Sequence, residues 1–153
     1  MKAGRWIAIA AWAAVAASSL VAGCANTTPA AESSGGAAPH SFHVAPDEAG
    51  LYIIRSERVG GAIPIEVLIN GQRLGATVAR SYLYAVVKPG IHTVDSLGDI
   101  RNTLQVELKP GTITYLSQVV ELAYLSSPRT RLRPVNDAQG REWVMELKPA
   151  PQR

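Results

Sequence analysis

The sequence has little cysteine, little net charge and no long apolar run, and each scarcity excludes a class of protein. Cys24 is the only cysteine, so no disulfide can form within the chain. Lys2 and Arg5 supply two units of the net charge of +3, which leaves +1 for the remainder. A balance that small gives no electrostatic footprint for nucleic acid. The apolar stretch that starts at Trp6 is shorter than the roughly 20 residues that span a bilayer as a helix.

The amino-terminal segment has the layout of an export signal. Lys2 and Arg5 form a basic region, residues 6–20 form an alanine-rich apolar region, and residues 21–24 (Val-Ala-Gly-Cys) resemble a bacterial lipobox. We therefore expect residues 1–23 to be a lipoprotein signal peptide, cut before Cys24, with Cys24 as the lipidation site. The alternatives are an ordinary signal peptide with a chance cysteine and an uncleaved membrane anchor.

The residues after the cleavage site predict where the chain is held. Acyl chains on Cys24 would anchor it firmly, because each buried methylene contributes about 0.8 kcal/mol. Ala25 stands where many such lipoproteins carry an aspartate that retains them at the inner membrane, which favours the outer membrane, facing the periplasm, if the organism has one. Residues 24–50 are rich in small residues and proline and predict a lipidated amino terminus followed by a flexible tether of about 25–30 Å average reach.

From Leu51 onward the apolar residues recur with the period of two that is typical of strands. Asn70 and Gly71 predict a tight hairpin, because both residues tolerate positive φ. Two Lys-Pro-Gly turns, at 88–90 and 109–111, each precede a further apolar stretch. Short strands separated by such turns indicate an antiparallel sandwich or barrel. We predict a mainly β fold, an antiparallel β-sandwich over residues 51–149, with residues 150–153 as a tail.

The carboxy-terminal end of the predicted domain fits two structures. Gly140, Trp143, Val144 and Leu147 lie on one face of a helix, and Asn136 and Asp137 are suitable caps before it. Trp143, Met145 and Leu147 also alternate as they would in a strand. We favour a short closing helix, and in either case we expect Trp143 to pack on the sheet.

The order of these elements resembles a family of bacterial lipoproteins built on the domain of unknown function numbered 2846. The matching residues are strand and turn positions spread over residues 51–148. They are Leu51-Tyr52-Ile53-Ile54-Arg55, Asn70-Gly71 with Gly75, Ser81-Tyr82-Leu83-Tyr84, Pro89-Gly90-Ile91-His92, and Pro110-Gly111 with Tyr115. Residues 65–94 also resemble the PEGA module, a small β-repeat of envelope proteins. The resemblance implies a fold and a place in the envelope, and it brings no active site.

The side chains that carry chemistry are sparse. His40 and His43 lie in or beside the predicted tether, where nothing would hold a third metal ligand, and His92 follows a turn. The serines lie in no nucleophile-elbow motif, and there is no glycine loop that could cradle a phosphate. We therefore expect no catalytic residue, no metal site and no cofactor.

One cluster is a candidate site. Arg129, Arg131 and Arg133 alternate with Thr130 and Leu132, so in a strand all three guanidinium groups would point to one face. Such a stripe could bind anionic groups, or it could be a solvated edge whose charges prevent aggregation. Five tyrosines could likewise line a binding face or simply be half-buried in a sheet.

These observations predict a membrane-anchored cell-envelope lipoprotein that acts as a non-enzymatic binding or structural module. Its expected partners are the membrane, through acylated Cys24, and another envelope protein or an anionic glycan or lipid. The alternative is an enzyme or enzyme subunit acting on cell-wall or lipid material. An enzyme requires titratable groups that converge in a concave site, whereas an adaptor requires only an exposed face.

Overall fold

The computed structural model describes residues 42–59, 61, 63–121 and 128–151. Within these residues the chain is mainly β, which confirms the predicted fold class. The elements are β1 (Ala49–Arg55), β2 (Ile65–Ile69), β3 (Gln72–Thr77), β4 (Ser81–Val87), β5 (Gly90–Leu97), β6 (Arg101–Leu108), β7 (Ile113–Glu121), β8 (Arg129–Val135), α1 (Asp137–Glu146) and β9 (Lys148–Pro149).

The strands form two sheets that face each other as a sandwich. One sheet has five strands in the order β8-β7-β1-β4-β9, and the other has four in the order β3-β2-β5-β6. Most neighbours run antiparallel, but β1 pairs with β7 and β4 pairs with β9 in parallel. Local alternation cannot indicate these two parallel pairs, because each joins segments that lie far apart in the sequence.

The main hydrophobic core fills the space between the two sheets. It is built from alternate residues of the strands, among them Leu51, Ile53, Val67, Ile69, Val94, Leu116 and Leu132. β1 lies in the middle of the five-stranded sheet and is buried along its whole length. Its unbroken apolar run therefore reflects a strand that is covered on both faces.

A second hydrophobic layer covers the outer face of the five-stranded sheet. It consists of Tyr52, Ile54, Tyr82, Tyr115, Val144 and Leu147, with Phe42, Tyr84 and Trp143 packed against it. α1 lies on this face and buries Gly140 and Val144. The expected contact of Trp143 with the sheet layer is confirmed.

The turn and cap residues behave as their chemistry predicts. Asn70 and Gly71 have φ values of 51° and 79°, the left-handed conformation that a tight hairpin requires. At the amino-terminal end of α1, the side chain of Asn136 accepts a hydrogen bond from the backbone N–H of Gln139 at 2.9 Å. The carboxy-terminal segment is therefore a helix, and the strand alternative is excluded for residues 137–146.

The ordered fold begins earlier than the boundary expected at Leu51. β1 starts at Ala49, and Phe42 and Val44, which the sequence assigned to the tether, pack against the folded part. Val44 is only 6% exposed. The backbone N–H of Gly111 donates to the carbonyl of Glu48 at 2.7 Å, which fixes this segment to the second Lys-Pro-Gly turn.

Candidate functional site

β8 carries the three arginines that the sequence singles out. Arg129, Arg131 and Arg133 are exposed, whereas Thr130 and Leu132 between them are buried. Leu132 belongs to the core between the sheets, so the arginines lie on the opposite, outer face of the five-stranded sheet. The predicted placement of the three side chains on one face is confirmed, and we call this surface the arginine stripe.

β8 is an edge strand, and the stripe lies along the border of its sheet. In the register with β7, Arg129 lies opposite Glu121, Arg131 opposite Val119 and Arg133 opposite Ser117. Within residues 42–59, 61, 63–121 and 128–151, no ion pair or side-chain hydrogen bond engages these three guanidinium groups. Since no described residue occupies them, the N–H donors of the three guanidinium groups are available to a ligand.

The edges of the two sheets meet beside the stripe, where β6 approaches β8. Asn102 of β6 bridges the sheets, because its Oδ1 accepts a hydrogen bond from the backbone N–H of Leu132 at 2.8 Å. The backbone N–H of Asp99 donates to the carbonyl of Pro128, also at 2.8 Å. Gly98 permits this approach, since a Cβ there would lie 2.5 Å from the same carbonyl oxygen. We call this junction of β6 and β8 the seam.

A cleft runs along the seam and contains part of the stripe. It is lined by Ile100, Arg101, Asn102, Glu121, Arg129 and Arg131, while Arg133 lies outside it. Arg101 comes from the other sheet and is the residue that sequence reasoning missed. Alternation along a single strand cannot reveal such a residue, because only the closure of the sandwich brings β6 to β8.

Asp95 restricts where the head group of Arg101 lies. The carboxylate accepts a hydrogen bond from the Thr103 hydroxyl at 2.5 Å and lies 3.8 Å from a terminal nitrogen of Arg101. The Asp95 side chain is 7% exposed and the Arg101 side chain 60%. The tip of Arg101 is therefore drawn toward Asp95, while most of its side chain remains open to solvent.

A buried polar network supports β8 from the inside. The side-chain amide of Gln118 donates to the Ser96 hydroxyl at 2.7 Å, and that hydroxyl donates to the hydroxyl of Thr130 at 2.8 Å. The Thr77 hydroxyl bonds the carbonyl oxygen of the same Gln118 side chain. These residues come from four strands of both sheets, so the network fixes the strand that presents the arginines.

A further arginine, Arg55, stabilises the fold. Arg55 is fully buried at the end of β1, and its guanidinium donates to the backbone carbonyls of Ile63 at 2.8 Å and Val59 at 2.7 Å. Burial lowers the pKa of Arg55 below its usual value, partly offset by Glu57. The two bonds tie the connection between β1 and β2 to the sandwich.

The tyrosines form a packed layer. The ring of Tyr52 lies 4.5 Å from that of Tyr84, 5.4 Å from that of Tyr115 and 5.6 Å from that of Tyr82, measured between centroids. The hydroxyls of Tyr52, Tyr82 and Tyr115 are buried and have no hydrogen-bond partner among the described residues. Burial raises the pKa of Tyr52 and raises that of Tyr115 to about 12. The fifth tyrosine, Tyr124, lies outside the described residues.

The histidines do not assemble a site. His92 bridges two turns, with one ring nitrogen 2.8 Å from the carbonyl oxygen of Lys88 and the other 2.9 Å from the side-chain nitrogen of Asn70. His43 is exposed, and His40 lies outside the described residues. In the part of the chain that the structure describes, no three His, Cys, Asp or Glu side chains are grouped as metal ligands.

The predicted signal peptide, residues 1–23, and the predicted lipidation site, Cys24, lie outside the described residues. Among the residues that are described, no helix is both long and apolar enough to cross a membrane. Comparison with protein families, characterised proteins and solved structures gives no match, so the resemblance to the lipoprotein family and to the PEGA module remains a prediction.

Proposed function

We propose that this chain is a non-enzymatic binding module of the bacterial cell envelope, anchored to the outer membrane by acylated Cys24, that uses the arginine stripe to hold an anionic group of another envelope component. The observation that carries the proposal is the stripe itself. Three guanidinium groups are exposed on one face of an edge strand, and no described residue pairs with them. Guanidinium groups match carboxylates and phosphates in geometry as well as charge.

The support beneath the stripe favours binding over a merely solvated edge. An edge strand needs charge to avoid pairing with other chains, but it needs no fixed backbone for that purpose. Here the bond from Leu132 to Asn102 and the inward hydroxyl of Thr130 hold β8 in place on both sides of Arg131. Side chains that project from a fixed strand lose less entropy when they bind.

The stripe is tested by replacing Arg129, Arg131 and Arg133 with Gln. We expect the triple variant to lose the salt-sensitive part of its binding to envelope extracts and to anionic vesicles, because that part depends on exposed charge. Its melting temperature should change little, since exposed substitutions usually change stability by no more than about 0.5 kcal/mol each. The matched control replaces Arg58, Lys109 and Lys148 with Gln, which removes equal charge elsewhere. Equal binding by the parent and the stripe variant at low salt would refute the proposal.

The anchor is tested separately. Replacing Cys24 with Ser removes the thiol that would be acylated, so we expect release from membranes or accumulation of an uncleaved precursor. Membrane fractionation and labelling with a radioactive fatty acid measure both effects. A variant that matures, stays membrane-bound and keeps its lipid label would show that the anchor is not at Cys24.

A further inference from the structure

The seam brings together donors from both sheets. Arg129 and Arg131 reach the cleft from β8, and Arg101 and Asn102 reach it from β6. Alternate residues on a strand lie about 6.6 Å apart, so two arginines on β8 alone would present a flat row of charge. Arg101 adds a third guanidinium from the opposite border of the cleft. The cleft is thus bordered by cations on two sides.

Asn102 contributes a donor whose direction is fixed. Its Oδ1 is occupied by the backbone N–H of Leu132, so the amide orientation is determined and its NH₂ group points away from that bond. An oriented NH₂ group at the border of a cleft offers hydrogen bonds to an anion and none to a cation. The guanidinium of Arg101 lies 3.8 Å from the Asp95 carboxylate, so it is attracted to one side of the cleft and keeps most of its surface exposed.

Among the described residues that line the cleft, only Glu121 is acidic, and it lies directly opposite Arg129 in the register of β7 and β8. Its charge offsets one of the three guanidinium groups, and Asp95 beside Arg101 partly offsets another, so the described lining retains a net positive charge. An anion in the cleft would avoid the Glu121 side and lie nearer to Arg101, Asn102 and Arg131.

We infer that the cleft at the seam is a binding site for a phosphate group, a monoester or a diester, held by Arg101, Asn102 and Arg131 with Arg129 at its edge. This inference rests on the proposed function and names the ligand class for part of the stripe. A carboxylate has two oxygens in one plane, and a single guanidinium can bond both of them. A phosphate group presents oxygens in several directions, and donors from two sheets match that arrangement.

Ile100 suggests how the source of the phosphate can be distinguished. It lines the same cleft and its side chain is 61% exposed. A phospholipid headgroup would bring apolar chain next to Ile100, whereas a free phosphate would not touch it. Replacing Ile100 with Ser therefore separates the two sources.

The inference is tested by titrating the full chain with inorganic phosphate while following the Asn102 side-chain amide and the arginine Nε–H resonances by NMR. We expect Arg101→Gln and Arg131→Gln to weaken phosphate binding about tenfold each, the effect of one lost charge-assisted hydrogen bond. Asn102→Asp keeps the acceptor for Leu132 and should abolish binding. Lys109→Gln, which removes one charge outside both the cleft and the stripe, is the control and should change affinity by less than about twofold.

Three results would overturn the inference. They are a Lys109→Gln effect as large as that of Arg101→Gln, no effect of Asn102→Asp, and binding of acetate as tight as that of phosphate. The last would indicate that the cleft takes anions of any shape and would leave the proposed function intact. If the parent bound no phosphate but the stripe variant still lost binding to envelope extracts, the phosphate inference would fail and the proposed function would stand.

Vesicles identify the source. If the ligand is a lipid headgroup, Ile100→Ser should weaken binding to phosphatidylglycerol vesicles about tenfold relative to the parent and leave inorganic phosphate unaffected. If the ligand is a free phosphate, that variant should match the parent with both probes. Both outcomes support a phosphate site and assign it to different molecules.

Discussion

At the scale of single residues, Gly140 determines how closely the helix approaches the sheet. A Cβ at this position would lie 2.2 Å from Cγ of Tyr115, and real contacts of that kind are never so short. Elsewhere in a helix, glycine costs about 1 kcal/mol relative to alanine. Here the missing side chain is what permits α1 to lie on the Tyr115 ring.

We predict that Gly140→Ala destabilises the fold by about 1–3 kcal/mol, because overpacking of a buried contact outweighs the gain in helix propensity. The midpoint of denaturant unfolding measures the change. Met145→Ala is the control on the same helix, where the side chain is 62% exposed, and it should change stability by no more than about 0.5 kcal/mol. A stabilising Gly140→Ala would mean that α1 does not pack on Tyr115 this closely.

The burial of Arg55 could not be predicted from the sequence. An arginine that ends an apolar strand predicts an exposed side chain, as charged residues are seldom fully buried. The structure buries it because the connection to β2 turns back and supplies two carbonyl acceptors. The acceptors are backbone atoms of Val59 and Ile63, and no residue type in the sequence indicates where their carbonyls will point.

At the scale of elements, the hairpin between β2 and β3 was predictable from the sequence, whereas the contacts of its turn with β5 were not. Asn70 and Gly71 determine the turn by their local conformation. Asn70 also accepts a hydrogen bond from the backbone N–H of Thr93 at 3.0 Å and lies against the His92 ring. These contacts join residues more than 20 positions apart, so they follow from the pairing of β2 with β5.

We predict that Asn70→Gly lowers stability by about 1–2 kcal/mol although glycine suits the turn. The variant retains the left-handed conformation and loses both side-chain hydrogen bonds, each of which contributes about 0.5–1.5 kcal/mol. Denaturant unfolding measures the difference. Asn70→Asp keeps the side-chain acceptor for the Thr93 N–H and should therefore lose less stability than Asn70→Gly. Unchanged stability in Asn70→Gly would show that the contacts between the turns contribute nothing.

The arginine stripe was predictable at this scale because strand periodicity alone places alternate residues on one face. The seam was not, because β6 and β8 belong to different sheets and meet only when the sandwich closes. For the same reason the sequence predicts Arg129, Arg131 and Arg133 as a set, while the structure separates Arg133 from the other two and adds Arg101.

At the scale of the whole molecule, the tyrosine layer makes stability depend on alkaline pH. In the unfolded chain tyrosine titrates with a pKa near 10. In the folded chain burial raises the pKa of Tyr52, Tyr82 and Tyr84, and that of Tyr115 to about 12. A raised pKa means that the fold favours the neutral phenol, so this stability is complete below about pH 10 and is lost as the pH rises toward 12.

We therefore predict that the free energy of unfolding falls steadily above about pH 10, and that most tyrosinate absorbance appears only on unfolding. Denaturant titrations at successive pH values measure the first effect, and ultraviolet absorbance measures the second. Tyr115→Phe should be nearly neutral or slightly stabilising at pH 7, because it removes a buried hydroxyl that has no described partner, and should flatten the alkaline decline. Free titration of the tyrosines in the folded state would contradict the burial of the layer.

The boundary of the folded unit follows from the same layer. The Phe42 ring lies 6.2 Å from the Tyr52 ring between centroids, and the guanidinium of Arg141 lies over the Phe42 ring, 5.1 Å from its centroid. The Val44 side chain lies beside Gly50, where an added Cβ would be 3.1 Å from it, and the carbonyl of Glu48 accepts a hydrogen bond from the backbone N–H of Gly111. The sequence of residues 42–48 does not indicate these contacts. Two large apolar residues in so short a segment, followed by proline and acidic residues, are too few to establish the period of a strand or a helix.

We predict that a chain beginning at Phe42 is more stable than one beginning at Ala49 by at least about 2 kcal/mol, the contribution of burying two large apolar side chains. Limited proteolysis of the full chain should leave a resistant fragment that starts near Phe42. Phe42→Ala should give an intermediate stability, since it removes the ring that covers Tyr52 and leaves Val44 in place. If both truncated chains unfolded at the same denaturant concentration, the segment from 42 to 48 would not belong to the fold, and the tyrosine layer would be closed by α1 alone.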